Sequence, residues 1–99
     1  MGYNLHYFDE VKFEIQEAKN WYKGKKIGLE KRFAQEVKRA LVRVQNNPKG
    51  YEIKYKKIRS AFTDVFPYAI HFFIDDEYKR IVIVAILHQN RNPKLHQNR

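Results

Sequence analysis

Apolar and polar positions alternate at the start of the chain. Tyr3, Leu5 and Tyr7 fall on one side, Asn4 and His6 on the other. A period of two belongs to a strand, so a short strand opens the fold. The period then changes. Val11, Ile15, Ala18 and Tyr22 recur at three- and four-residue spacing with Trp21 beside them, which predicts a helix from about Asp9 to Lys23. Asp9 can accept hydrogen bonds from the free N–H groups at the start of that helix, and Glu10 is favourably placed near its positive end. Glycine-bounded punctuation (Lys23-Gly24-Lys25-Lys26-Ile27-Gly28) ends it. Leu29, Phe33, Val37, Leu41 and Val44 form a second apolar stripe, with Glu30, Lys31, Lys38, Arg39 and Arg43 on the wet face. This second helix stops at Asn46-Asn47-Pro48, because proline biases the preceding residue away from helical angles. Two helices joined by a short loop make an antiparallel hairpin with one apolar seam to bury.

From Tyr51 onward three runs rich in Val, Ile, Phe and Tyr are separated by turn-forming or charged residues, the pattern of an antiparallel three-strand meander. In the first, Tyr51, Ile53 and Tyr55 point one way and Glu52, Lys54 and Lys56 the other. Ile58 breaks that phase, which predicts a bulge or strand end near Lys57 that turns Arg59 outwards. Pro67 lacks a ladder donor, so the next strand begins at Tyr68. Asp75-Asp76-Glu77 is the hairpin turn. Ile81 to Leu87 is apolar on both parities, as in a central strand or one covered on both faces. Two helices cover only one face of a small sheet. Phe72, Ile74, Val82, Val84 and Ile86 lie on the opposite parity from Phe73, Ile81, Ile83 and Leu87, so one apolar surface is left for the C-terminal tail, a second copy or a partner chain. The expected fold class is α+β in the order β-α-α-β-β-β, with the helical hairpin packed on one face of a small, mainly antiparallel sheet.

Composition narrows the class. Ninety-nine residues make one domain, 1–99, with a loose tail from about residue 94. Hydrophobic residues are 43% of the chain, enough for a core without staples, and the absence of cysteine excludes a disulfide. No apolar N-terminal run or 18-residue apolar stretch is present, so the expectation is a soluble, cytoplasmic protein that does not engage a membrane. A net charge of +9 points to an anionic partner, either nucleic acid or an acidic protein. The charge is sharpest between Lys49 and Arg59, where four lysines and an arginine face one glutamate.

The element order and several residues together resemble the RelE/ParE superfamily of type II toxin–antitoxin toxins. The resemblance rests on Trp21-Tyr22, Phe33, the Asn47-Pro48 break, Ile58-Arg59, Phe66-Pro67-Tyr68 and the closing run Ala85 to Pro93. It spans essentially the whole chain. It implies a growth-arresting toxin held by a cognate antitoxin whose acidic or amphipathic segment lies on the sheet and helices, as a homodimer or a toxin–antitoxin heterotetramer. One branch of the superfamily cleaves messenger RNA on the ribosome. The other, of ParE type, poisons DNA gyrase without enzymatic chemistry.

Of the two, RNA cleavage is the first expectation. A metal-independent ribonuclease must activate a 2′-hydroxyl, stabilise the phosphorane charge and protonate the leaving oxygen. Lys54, or alternatively Glu52, is the candidate base; Lys56, Arg59 and Arg91 are candidate phosphate binders; His88 is the candidate acid. They converge only if the Lys-rich strand lies beside the strand ending at His88. Each has a plainer reading. The lysines can protect a sheet edge from aggregation, His88 can be a hydrogen-bonded structural residue, Arg59 can pair with Asp64 or an antitoxin, and Arg91 can be part of a charged tail. His71 reads as packing, and Tyr51, Tyr55 and Tyr68 as core or base-stacking groups. His6 and His96 are isolated, no spacing suggests a metal site, and no cofactor is expected.

Overall fold

The computed structural model describes residues 2–90, so Arg91, His96 and the tail lie outside the described residues. The elements are β1 (Asn4–Tyr7), α1 (Asp9–Lys23), α2 (Leu29–Asn46), a short 3-10 turn (Pro48–Gly50), β2 (Ile53–Tyr55), β3 (Ile58–Phe62), β4 (Tyr68–Asp75) and β5 (Arg80–His88). They build one sheet in the order β1-β5-β4-β3-β2, with β1 parallel to β5 and the other neighbours antiparallel. This is the α+β arrangement read from the sequence, with three departures that bear on function.

The Lys-rich run is two strands rather than one. Lys56 takes a left-handed backbone (φ 51°), so the chain reverses at Lys56-Lys57, and β2 pairs back on β3 through Ile53↔Arg59 and Tyr55↔Ile58. The phase break at Ile58 marks this reversal. Arg59 does not swing outwards. Its guanidinium donates to the carbonyls of Tyr51 (2.6 Å) and Lys49 (3.4 Å) and ties the 3-10 turn to β3.

The second departure is the position of the chain's first strand. β1 adds to β5 in parallel register, Asn4↔Arg80 through Tyr7↔Ile83, so β5 is flanked by β1 and β4 while the Lys-rich ribbon forms the opposite border. Among the described residues, no strand pairs with the outer side of β5 beyond Ile83. There α1 takes over, and the Glu14 carboxylate accepts the Ile86 N–H at 3.0 Å. Asp9 lies inside the first turn of α1 rather than capping it; Phe8 holds the cap position without a side-chain hydrogen bond.

Third, β5 carries a bulge. His71 pairs with Ala85 but the next residue, Phe72, pairs with Ile83, which leaves Val84 as the extra residue. One extra residue reverses the facing of everything after it. Ile81, Ile83 and Ile86 therefore share the helix-facing core with Ile70 and Phe72, whereas Val82, Val84, Ala85 and Leu87 form a second cluster with Phe8, Ile58 and Phe73. The uninterrupted alternation expected from the sequence grouped the faces wrongly: Phe72, Ile74 and Ile86 join Ile81 and Ile83, and Phe73 and Leu87 join Val82 and Val84. The leftover apolar surface is also not bare: Val82, Val84, Ala85 and Leu87 are all at most 9% exposed.

The hairpin is fixed to the sheet by rings. Phe33 is fully buried and lies 5.3 Å from Tyr22, 5.4 Å from Phe66 and 5.0 Å from Tyr68, centroid to centroid, and Tyr22 meets Phe66 edge-on at 4.8 Å. Burial and the facing Tyr68 hold the Tyr22 phenol above its ordinary pKa. On the same helix the buried Glu36 is paired with Arg32 (3.0 Å) and Arg39 (3.5 Å), so its charge is not left alone. Gly28 has φ +84°, a conformation glycine adopts freely, and it starts α2 directly after the loop.

Phe33→Ala should lower stability by about 3–5 kcal/mol, read from urea unfolding, because the cavity opens where three rings meet. The β4–β5 turn supplies a pH test. Hydrogen bonding to Arg80 lowers the Asp75 pKa, and hydrogen bonds from Tyr3 and then Lys49 lower that of Asp76. A carboxyl depressed in the folded state contributes stability above its unfolded pKa and loses it as the pH falls through the folded value. Asp75→Asn should therefore flatten the acid limb of a melting-temperature profile below the ordinary carboxylate range and leave its neutral limb unchanged in shape.

Candidate functional site

The proposed site residues divide into two groups. Glu52, Lys54 and Lys56 lie on or beside β2, at the outer border of the sheet. Lys54 Nζ is 3.6 Å from the Glu52 carboxylate, with both side chains largely exposed. An exposed pair of this kind holds neither charge firmly. Arg59 stands one strand in, committed to two backbone carbonyls. Lys57 reaches over the Phe73 ring at 4.0 Å, a cation–π contact that lays its stem along the second apolar cluster.

His88 is at the other side of the sheet. It pairs with Tyr68, and the two rings meet edge-on at 5.5 Å. The Asn90 N–H donates to its Nδ1 at 3.1 Å, which leaves Nε2 to carry the exchangeable proton. Glu14, Glu17, Tyr68, Ile86 and Leu87 enclose it in a small cleft against α1. Between β2 and β5 stand β3 and β4. Three strand spacings of about 4.8 Å, combined with an offset of about four residues along the strands, put the Lys54 and His88 backbones roughly 20 Å apart. The condition for convergence, adjacent ribbons, is not met. The border residues can hold an anion, but no imidazole stands among them to complete a proton relay. Arg91 lies outside the described residues.

His71, read as packing, has a polar partner. Its Nδ1 lies 2.9 Å from Ser60 Oγ, and both residues are buried. They face each other across the β3–β4 pairing Ser60↔His71, on the face that also holds Ala69 and Ala85. The signal was present in the sequence. Counting outward from Val65-Phe66 along both arms places Ser60 opposite His71, once the first strand is allowed to extend to Phe62. Tyr51 and Tyr68 are core residues, as read: Tyr51 packs edge-on against Phe72 at 5.8 Å. Among the described residues no three His, Asp or Glu side chains gather as a metal site.

The profile of the family described as ParE toxin of type II toxin–antitoxin system, parDE, matches residues 9–93. No curated protein matches the sequence significantly. Among solved structures, the chain is similar to one of the chromosomal ParDE toxin–antitoxin system from P. aeruginosa, with 16% identity, TM-score 0.71, and coverage of 87% of this chain and 95% of that one. It is also similar to the isolated E. coli RelE toxin (14% identity, TM-score 0.66, 97% and 94% covered). The RelBE2 toxin–antitoxin complex from Mycobacterium tuberculosis follows with 17% identity, TM-score 0.62, and 89% and 99% covered. At such identities the solved structures speak for the fold alone.

Ser60→Ala should cost about 1–3 kcal/mol in thermal or urea unfolding by stranding the buried His71 ring nitrogen, and should shift the His71 nitrogen resonances while leaving those of His88 in place.

Proposed function

Because the chain belongs to the ParE toxin family of type II toxin–antitoxin systems, we propose that it arrests growth by binding DNA gyrase rather than by cutting messenger RNA. The observation that carries this reading is the separation of the candidate residues: the cationic border at β2 and the imidazole at the end of β5 have two strands between them. Transesterification of RNA needs base, phosphate binder and acid around one phosphodiester, within hydrogen-bond reach of the atoms that exchange protons. A toxin that works by occupying its target has no such requirement. It needs a rigid, well-packed surface, and the double-sided burial of β5 supplies rigidity.

The antitoxin belongs to the same reading. The solved relatives include toxin–antitoxin systems and complexes. On this chain Ile53 on β2 and Phe62 at the end of β3 are about half exposed on or near the lysine-bearing border. A segment that combines acidic and apolar residues suits that border, where β2 is the outermost of the described strands.

The fold shared with RelE keeps ribonuclease action as the opposed outcome. Purified toxin should inhibit supercoiling by gyrase and leave messages on programmed ribosomes intact, and His88→Ala with Lys54→Ala should arrest growth as the parent does. Cut messages, lost together with growth arrest in that double variant, would overturn the proposal and restore the nuclease reading.

A further inference from the structure

The strongest unassigned feature lies on the side of the helical hairpin that faces away from the sheet. A groove between α1 and α2 is lined by Lys19, Lys23 and Lys31, by the single carboxyl of Glu30, and by the amides of Asn20 and Gln35. A second groove on the outer face of α2 is lined by Gln35, Lys38, Arg39, Val42 and Arg43. Gln35 lines both, so they run into one another. From Lys31 to Arg43 the track is about 18 Å long at 1.5 Å per helical residue. Laid along a duplex axis, that length covers about five base-pair steps at roughly 3.4 Å of rise each. Among the described residues Lys23, Lys31 and Lys38 have no acidic partner, whereas Arg32 and Arg39 are tied to the buried Glu36 and Arg43 pairs with Asp64 at 3.5 Å. Three lysines thus retain their full charge for an outside partner. At the hairpin tip Lys25 lies over the exposed Trp21 ring at 4.1 Å, which adds a fourth ammonium to the same end.

From this arrangement we propose that the outer face of the hairpin is a docking track for the phosphate backbone of duplex DNA. A straight row of uncommitted ammonium groups suits a regular line of fixed negative charges and carries no sequence information. An anionic bilayer is a poorer match. The exposed apolar residues, Trp21 and Ile27 at the tip, Phe13 on α1 and Val42 on the outer face of α2, are scattered rather than gathered into one patch that could enter it, while the cations run lengthwise along the helices. The choice of duplex DNA among polyphosphates rests on the gyrase reading, since that target works on DNA; the track itself does not.

The test is fluorescence anisotropy of a labelled 20-base-pair DNA duplex with the full chain, repeated over a range of salt. Binding should weaken with a slope near −4 in log affinity against log salt. Each lysine removed in Lys23→Ser, Lys31→Ser and Lys38→Ser should reduce that slope by about 0.9, and the triple variant should bind at least about tenfold more weakly with an unchanged melting curve. Lys54→Ser with Lys56→Ser, on the opposite border, should bind as the parent does. No binding at 50 mM salt, equal binding by the triple variant, or loss of binding in the β2 variant overturns the proposal. So does tighter association with an RNA duplex of the same length or with phosphatidylglycerol vesicles. Supercoiling inhibition measured in parallel separates the two claims. DNA binding by the parent chain without inhibition leaves the track standing and removes gyrase as target; inhibition by the parent chain without DNA binding does the reverse.

Discussion

Everything in this molecule hangs on one aromatic junction. Tyr22 from the end of α1, Phe33 from the second turn of α2, and Phe66 and Tyr68 from either side of Pro67 meet in a single packed group. It ties both helices to the Phe66-Pro67 corner, beside a core in which α1 buries Val11 and Ala18 and α2 buries Val37, Ala40 and Val44. The junction also sets where β4 begins, since the Phe66-Pro67 corner is anchored by its own ring and Tyr68 is the first strand residue. His88 is attached at the rim of this group through Tyr68. Its place is thus explained by packing before any chemistry is invoked.

That observation clarifies what was legible in the sequence. Helix periods, the proline stop at Asn47-Pro48, the strand start at Tyr68 and the Asp75-Asp76 turn are local properties, and each appears where its residues predict it. The residues that carried the family resemblance include Tyr22, Phe33, Phe66 and Tyr68, the members of the junction. They report a shared architecture, so they led to the right fold and said little about what the fold does.

The features that were not legible are non-local. Nothing in Asn4–Tyr7 states that this strand will lie parallel to β5, and that placement sends the Lys-rich ribbon to the far border. The Val84 bulge is equally hidden, because a run of Val, Ile, Ala and Leu offers every parity the same hydrophobicity. Only the partner strand, where His71 and Phe72 take consecutive places opposite Ala85 and Ile83, shows which residue is surplus. The convergence of Lys54 with His88 depended on strand order, and strand order was the quantity that residue patterns could not supply. By contrast, the hairpin's outer cations could have been read directly from α2, where lysine and arginine recur on the wet face.

The position of β5 has a consequence for how the molecule comes into being. Among the described residues, the strand latest in the chain is the one that receives β1, β4 and α1 on its flanks and faces. Contacts between opposite ends of a chain form late, after the loops between them have closed. A nascent chain still held in the ribosome tunnel at residue 80 would have its helices but no strand for its beginning to join. A chain cut off before Arg80 lacks the strand on which β1, β4 and the Glu14 contact from α1 assemble.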